Sequence, residues 1–207
     1  MSKVNANVIM KTLDWSYEKA VNGFTGFDSA EELAQNYLKN SKDINEAVDS
    51  LIRWQVSKSA TSGFITGIGG AITMPVAIPA NIASVMLVQV RMIAAIAHMG
   101  GFDLRDDQVK SFVYICLCGN GAKDILKEVG IVIGTKLTQS AIRKLSSAVI
   151  TKINQTVGFR LLTKFGQKGV INLGKAVPLV GGIVGATFDG TATRTIGKVA
   201  KQAFIIQ

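Results

Sequence analysis

Histidine occurs once in these 207 residues and cysteine twice. With His98 alone, a metal centre of the usual His-rich kind lacks ligands, and no metal or other cofactor is expected. A Ser-His-Asp or Cys-His system would have to use His98. That residue stands beside Gly100-Gly101 at the end of a helical pattern, where its positive form suits the helix dipole. No Gly-x-Ser-x-Gly elbow is present. Cys116 and Cys118 are two apart and point to different faces of a helix. They read as small buried hydrophobes in a reducing compartment. The balance leans away from an enzyme, and no catalytic residue is assigned. Aromatic residues make up only 7%, so the core must be built from Ala, Ile, Val, Leu and Gly.

A second absence is charge. From Ser59 to Val90 there are 32 consecutive uncharged residues, against the roughly 20 apolar residues that a helix needs to span a bilayer. Gly63, Gly67, Gly69, Gly70, Pro75 and Pro79 interrupt this stretch. It reads as either a membrane-inserted helix pair or the buried heart of a soluble helical domain. The first residues, MSKVNANVIMKTLDWSYEK, hold no apolar run of signal-peptide length. The chain is therefore expected to begin in the cytoplasm.

The third absence is acid in the last part of the chain. Residues 129–207 hold eleven basic side chains and one acid, Asp189, and residues 129–188 hold no acid at all. Lys136, Arg143, Lys144, Lys152, Arg160, Lys164, Lys168 and Lys175 fall in that span. One-signed charge implies an anionic partner. An anionic lipid surface is expected, ahead of an acidic protein, with nucleic acid disfavoured; a solvated face with no partner is the plain alternative.

What is present is helical pattern. Asn22-Gly23 closes a first helix over about 4–21. Ser29 with Glu32, and Asp43 with Glu46, read as capping boxes that open two more. Further helices are predicted over 80–99, ending at Gly100-Gly101, then 104–117 after an Asp103/Asp106 cap, 122–145, 148–165 and 181–204. No stretch alternates as a strand. The prediction is one all-α domain over 1–207: a bundle of roughly eight helices, with 1–58 its N-terminal helices and 59–204 its apolar core region.

Small residues four apart, Gly63/Gly67, Gly130/Gly134 and Gly181/Gly185, are spaced for close helix packing. Residues 62–99 and 178–204, each glycine-rich, then proline, then apolar helix, are expected to pack together there. Gly67-Ile68-Gly69-Gly70 lacks the Lys-Ser/Thr and the strand of a phosphate loop. Gln89, Arg91, Asp189 and Arg194 stand on otherwise apolar helices. An unpaired buried charge costs several kcal/mol, so Asp189 is expected to meet Arg91 or Arg194; solvent exposure at helix edges is the alternative.

Three blocks carry a family likeness: residues 62–103, SGFITGIGGAITMPVAIPANIASVMLVQVRMIAAIAHMGGFD; Ile153-Asn154 with Val157-Gly158; and residues 175–204, KAVPLVGGIVGATFDGTATRTIGKVAKQAF. Together they resemble the EcsC family of bacterial proteins. The resemblance implies a helical protein and supplies no catalytic residue. The family often has Asn where this chain has Asp189. The expected function is non-catalytic: association with the bacterial inner membrane, peripheral or partly inserted, through apolar helices and the basic segment. A soluble carrier of a lipid or other apolar ligand, a membrane-protein partner, and a hydrolase using His98 are the rivals.

Overall fold

Asn5 starts the first helix, α1 (Ala6–Asn22), its side-chain oxygen accepting the Val8 N–H at 3.0 Å. The computed structural model describes residues 5–59, 80–131, 142, 144–165 and 181–205; for 58, 59, 80, 81, 165 and 181–189 only the helical backbone path is described. Ile9, Leu13, Tyr17 and Ala20 fall on one face of α1 and are buried. Gly23, at φ +66°, lets the chain leave the helix in a conformation that L side chains rarely adopt. After a turn in which Phe24 and Phe27 exchange backbone hydrogen bonds, α2 (Ala30–Lys39) opens on the expected capping box. Glu32 N–H reaches Ser29 Oγ at 3.1 Å, and Ser29 N–H reaches the Glu32 carboxylate at 2.8 Å. At α3 (Ile44–Ser59) Asp43 accepts from Glu46 N–H, but the Glu46 carboxylate returns to Lys42 N–H, one residue before the expected target.

The centre is α4 (Ala80–Met99), which α1, α2, α3 and two later helices surround. Leu87, Val90, Met92, Ile93, Ala94, Ala95 and Ile96 are buried, and these positions cover every side of the helix. A helix apolar all round belongs inside a protein or inside lipid. Over Ile82–Met99 this one is 89% buried by its own chain. The expected stop is present: Phe102 N–H bonds Ala97 C=O at 3.1 Å, with Gly101 at φ +80°. Gly100 has a separate reason to lack a side chain, because an added Cβ would strike the Phe204 carbonyl.

The next helix, α5 (Asp107–Leu117), starts three residues later than predicted. Asp103 Oδ1 accepts from Arg105 N–H at 2.9 Å, which holds 103–106 as a turn. Tyr114 on α5 donates to Asp14 on α1 at 2.9 Å, and the same oxygen takes the Lys110 ammonium at 2.6 Å. Tyr17 donates to the Leu104 carbonyl at 2.8 Å, and the two tyrosine rings meet edge to face at 5.9 Å. These contacts fix α1 on α5 by polar groups as well as by burial.

A 3-10 turn (Gly119–Gly121) leads to α6 (Ala122–Glu128). The prediction of one helix over 122–145 is corrected here. Ile131 N–H turns back to Leu126 C=O at 2.7 Å, and Gly130 takes φ +77° with nothing within 4 Å of a Cβ. Gly130 is thus a helix stop, not a helix-packing residue; Gly134 lies outside the described residues. In α7 (Ser147–Phe165), Ile153, Val157 and Leu161 repeat every four residues and face the core. A Cβ on Gly158 would stand 3.1 Å from Met10, so this glycine marks the α1–α7 crossing.

The last helix, α8 (Gly181–Phe204), lies along α3 and α4. Ile196, Ala200 and Phe204 are buried, and Lys201 Nζ bonds Asp49 of α3 at 2.8 Å. The described parts of 62–99 and 178–204 therefore do pack together. Gly63 and Gly67 lie outside the described residues, and Gly181 and Gly185 fall where only the backbone path is described. The close glycine contacts that are described lie elsewhere on α8, at Gly190 against Val56 and Gly197 against Ile52. Among the described residues there are eight α-helices and no strand, the all-α bundle that the patterns predict.

Candidate functional site

Two places on this scaffold gather polar groups that folding alone does not require. One is the outer face of α7. Phe159 is 67% exposed there, on a helix whose Ile153, Val157 and Leu161 are already committed to the core. Lys152 and Lys164 are exposed on the same helix, and Lys144 is exposed just before it. Lys152 Nζ reaches the Glu128 carbonyl at 3.0 Å. Arg160 turns toward α6, with its guanidinium 3.3 Å from Asp124 and 3.2 Å from Glu128. Its charge is answered inside the chain, which removes Arg160 from the expected lipid contacts. Lys136, Arg143 and Lys168 lie outside the described residues.

The other place is a cleft of about 300 Å³ between α2, α3 and α4. Arg91, 5% exposed, stands at its base, and Asp28, Asn36, Tyr37, Asn40 and Trp54 line it. The Arg91 guanidinium lies 3.6 Å above the Phe27 ring centre and donates from Nη1 to the Asp28 carbonyl at 2.9 Å. Its Nε–H is buried and has no partner among the described residues. Burial pulls the Arg91 pKa down to about 10, against the opposing pull of Asp28 and Tyr37, so the cation persists at neutral pH. The expected meeting of Asp189 with Arg91 or Arg194 involves a side chain outside the described ones. The Phe24–Phe27 turn carries ring and carbonyl to Arg91, and Arg194 is exposed. Gln89 is buried as expected, 3.3 Å from Thr193 of α8.

Catalytic alternatives find little geometry. His98 Nε2 stands 4.0 Å from the exposed Glu31 carboxylate, beyond hydrogen-bond reach. Burial pushes the Cys118 thiol up to about 11, against the pull of Lys164 and Arg160, and raises Cys116 as well. Both are thiols at neutral pH, poor nucleophiles. Among the described residues no group of three or more His, Cys, Asp or Glu could hold a metal.

A model of the EcsC protein family matches residues 3–206. The chain belongs to the EcsC family. No curated protein and no solved structure matches it. The likeness of the three sequence blocks thus extends to nearly the whole chain, N-terminal helices included. Those helices supply most of the Arg91 cleft, which no sequence motif marked. The signal that was there is a lone arginine in a helix otherwise apolar, preceded in the chain by Phe27, Tyr37 and Trp54. Its meaning depends on which helices meet, and spacing along the chain does not carry that.

Proposed function

We propose that this EcsC-family chain is a non-catalytic protein that docks peripherally on the anionic inner face of a bacterial membrane through α7. The observation that carries the proposal is Phe159, exposed on the same face of α7 as Lys152 two turns earlier, with Lys144 exposed before the helix and Lys164 exposed at its far end, in a span of 60 residues without acid. An aromatic ring flanked by lysines is suited to the interface, where the ring enters the headgroup boundary and the ammonium groups meet phosphates. Each lysine near such a surface contributes about 1 kcal/mol, so three give roughly a hundred-fold in affinity. The helix Ile82–Met99 does not share in this, since its apolar surface already faces its own chain. The carrier reading draws no support from the apolar cavity beside Phe112, Cys116 and Val199, which at about 30 Å³ holds no lipid.

The test is co-sedimentation of the full chain with vesicles of phosphatidylcholine alone and with added phosphatidylglycerol. Binding should favour the anionic vesicles and weaken with salt as the Debye length shrinks from about 10 Å at 0.1 M toward 3 Å at 1 M. Lys144→Gln, Lys152→Gln and Lys164→Gln together should remove the salt-sensitive part, and Phe159→Ser the salt-resistant part. Equal binding to both vesicle types, or binding unchanged in these variants, defeats the proposal.

A further inference from the structure

The Arg91 cleft has the parts of a binding site for an anion. A guanidinium carries five N–H donors in a planar fork. The Asp28 carbonyl takes one, and among the described residues nothing accepts from the buried Nε–H. Among the described residues no carboxylate lies within ion-pair distance of the group. The Phe27 ring covers one face at 3.6 Å, which leaves the in-plane edge as the place for an acceptor. A buried cation with an orphan donor is an arrangement that folding alone disfavours. A guanidinium fork matches the paired oxygens of phosphate.

The surroundings narrow the ligand. Tyr37 is half-buried and lies near enough to Arg91 for the cation to oppose the rise that burial gives its hydroxyl pKa. It supplies a second donor, and Asn36 supplies a carboxamide. Asn40 is turned away, its amide bonded to the Asn36 carbonyl at 2.7 Å. Trp54, 37% exposed, adds an aromatic side chain to the lining. A cleft of about 300 Å³ is at the small end of ligand sites, enough for a phosphate and one ring and too small for a nucleotide. The exposed Asp28 carboxylate in the lining opposes polyphosphates, whose charge exceeds that of a single phosphate group.

We propose that this cleft binds a phosphate monoester bearing a flat apolar group, with its oxygens on Arg91 and Tyr37 and its flat group against Trp54. A soluble ester and the headgroup of a phosphatidic-acid-type lipid present the same chemistry. The inference stands whether or not α7 docks on membranes.

Phenyl phosphate and inorganic phosphate, titrated into the full chain and followed by calorimetry and by the fluorescence of its two tryptophans, Trp15 and Trp54, test it. Phenyl phosphate should saturate at millimolar concentration and bind roughly ten-fold more tightly than inorganic phosphate. Trp54→Ala, at an exposed position, should level the two probes. Asp28→Asn should tighten both. Arg91→Lys keeps the charge and loses the fork, so it should weaken both roughly ten-fold; should it fail to fold, the two exposed variants still decide. Competition by vesicles containing phosphatidic acid assigns the ester to a lipid, and no competition assigns it to a soluble molecule. The proposal is overturned if phenyl phosphate produces no saturable signal up to about 10 mM, well above a millimolar dissociation constant. It is equally overturned if Trp54→Ala and Asp28→Asn both bind like the parent.

Discussion

Two glycines on one face of α8, seven residues apart, should respond to the same substitution with opposite signs. A Cβ on Gly190 would stand 3.6 Å from Val56 Cγ1, ordinary contact distance. A Cβ on Gly197 would stand 2.7 Å from Ile52 Cγ1 and 3.0 Å from both Cδ1 and Cγ2. Alanine is favoured over glycine inside a helix by about 1 kcal/mol. At Gly190 nothing opposes that gain, so Gly190→Ala should stabilise by up to about 1 kcal/mol. At Gly197 the methyl must displace a buried, β-branched side chain, an overpacking cost of about 1–3 kcal/mol. Gly197→Ala should therefore destabilise, by up to about 2 kcal/mol. In a chain of this size each kcal/mol moves Tm by about 2–4 °C, so urea and thermal unfolding will separate the two variants. Ile52→Ala removes all three clashing atoms. In the double variant the new methyl occupies part of the space they leave, and the combined loss should fall short of the sum by about 1–2 kcal/mol. The Lys201–Asp49 pair one turn on is the control. As a partly exposed ion pair it contributes under about 1 kcal/mol, so Lys201→Gln should change little. If both glycine variants shift stability in the same direction, or the double variant is additive, the α3–α8 packing argued here is wrong.

Tyr17→Phe should cost about 1–3 kcal/mol in urea unfolding, because it leaves the buried Leu104 carbonyl without its donor. Gly130→Ala should cost about 1 kcal/mol through its φ of +77° alone, and Gly130→Asn less, since no neighbour crowds the position. Cys118, with its thiol pushed up to about 11 by burial, should resist alkylation at pH 8. Folding favours the protonated thiol, so this contribution to stability should fall as pH rises from the unfolded value near 9 through about 11; rapid labelling at pH 8 without unfolding would contradict the burial.

Where the chain's neighbours are close in sequence, the fold was readable. Ser29 with Glu32 named the start of α2, and Gly100-Gly101 the end of α4, because a cap is a matter of three or four residues. The reading went wrong where one local signal competed with another. Gly130 and Gly134 have the spacing of a packing pair, but Gly130 is used as a helix stop. Asp103 resembles a cap, but its carboxylate bonds Arg105 in a turn. Other features are set by contacts distant in the chain: the described neighbours of Arg91 include a ring and a carbonyl 63 and more residues away, which no spacing marks. The cleft is assembled from α2, α3 and α4, and nothing in the spacing of Asn36, Tyr37 or Trp54 foretells that they share a wall.

The central position of α4 also has a consequence for how the chain is made. Its apolar surface is covered by α1, α2 and α3, which the ribosome delivers first, but also by α5 and α8. Synthesis proceeds at about 5–20 residues per second. The roughly 100 residues between the end of α4 and the end of α8 therefore keep part of an 18-residue apolar helix uncovered for about 5–20 seconds. During that interval the nascent segment has the length and hydropathy that an insertion machinery selects. Arg91 near its middle opposes that selection, since a charge at mid-helix costs about 2.5–3.5 kcal/mol on insertion.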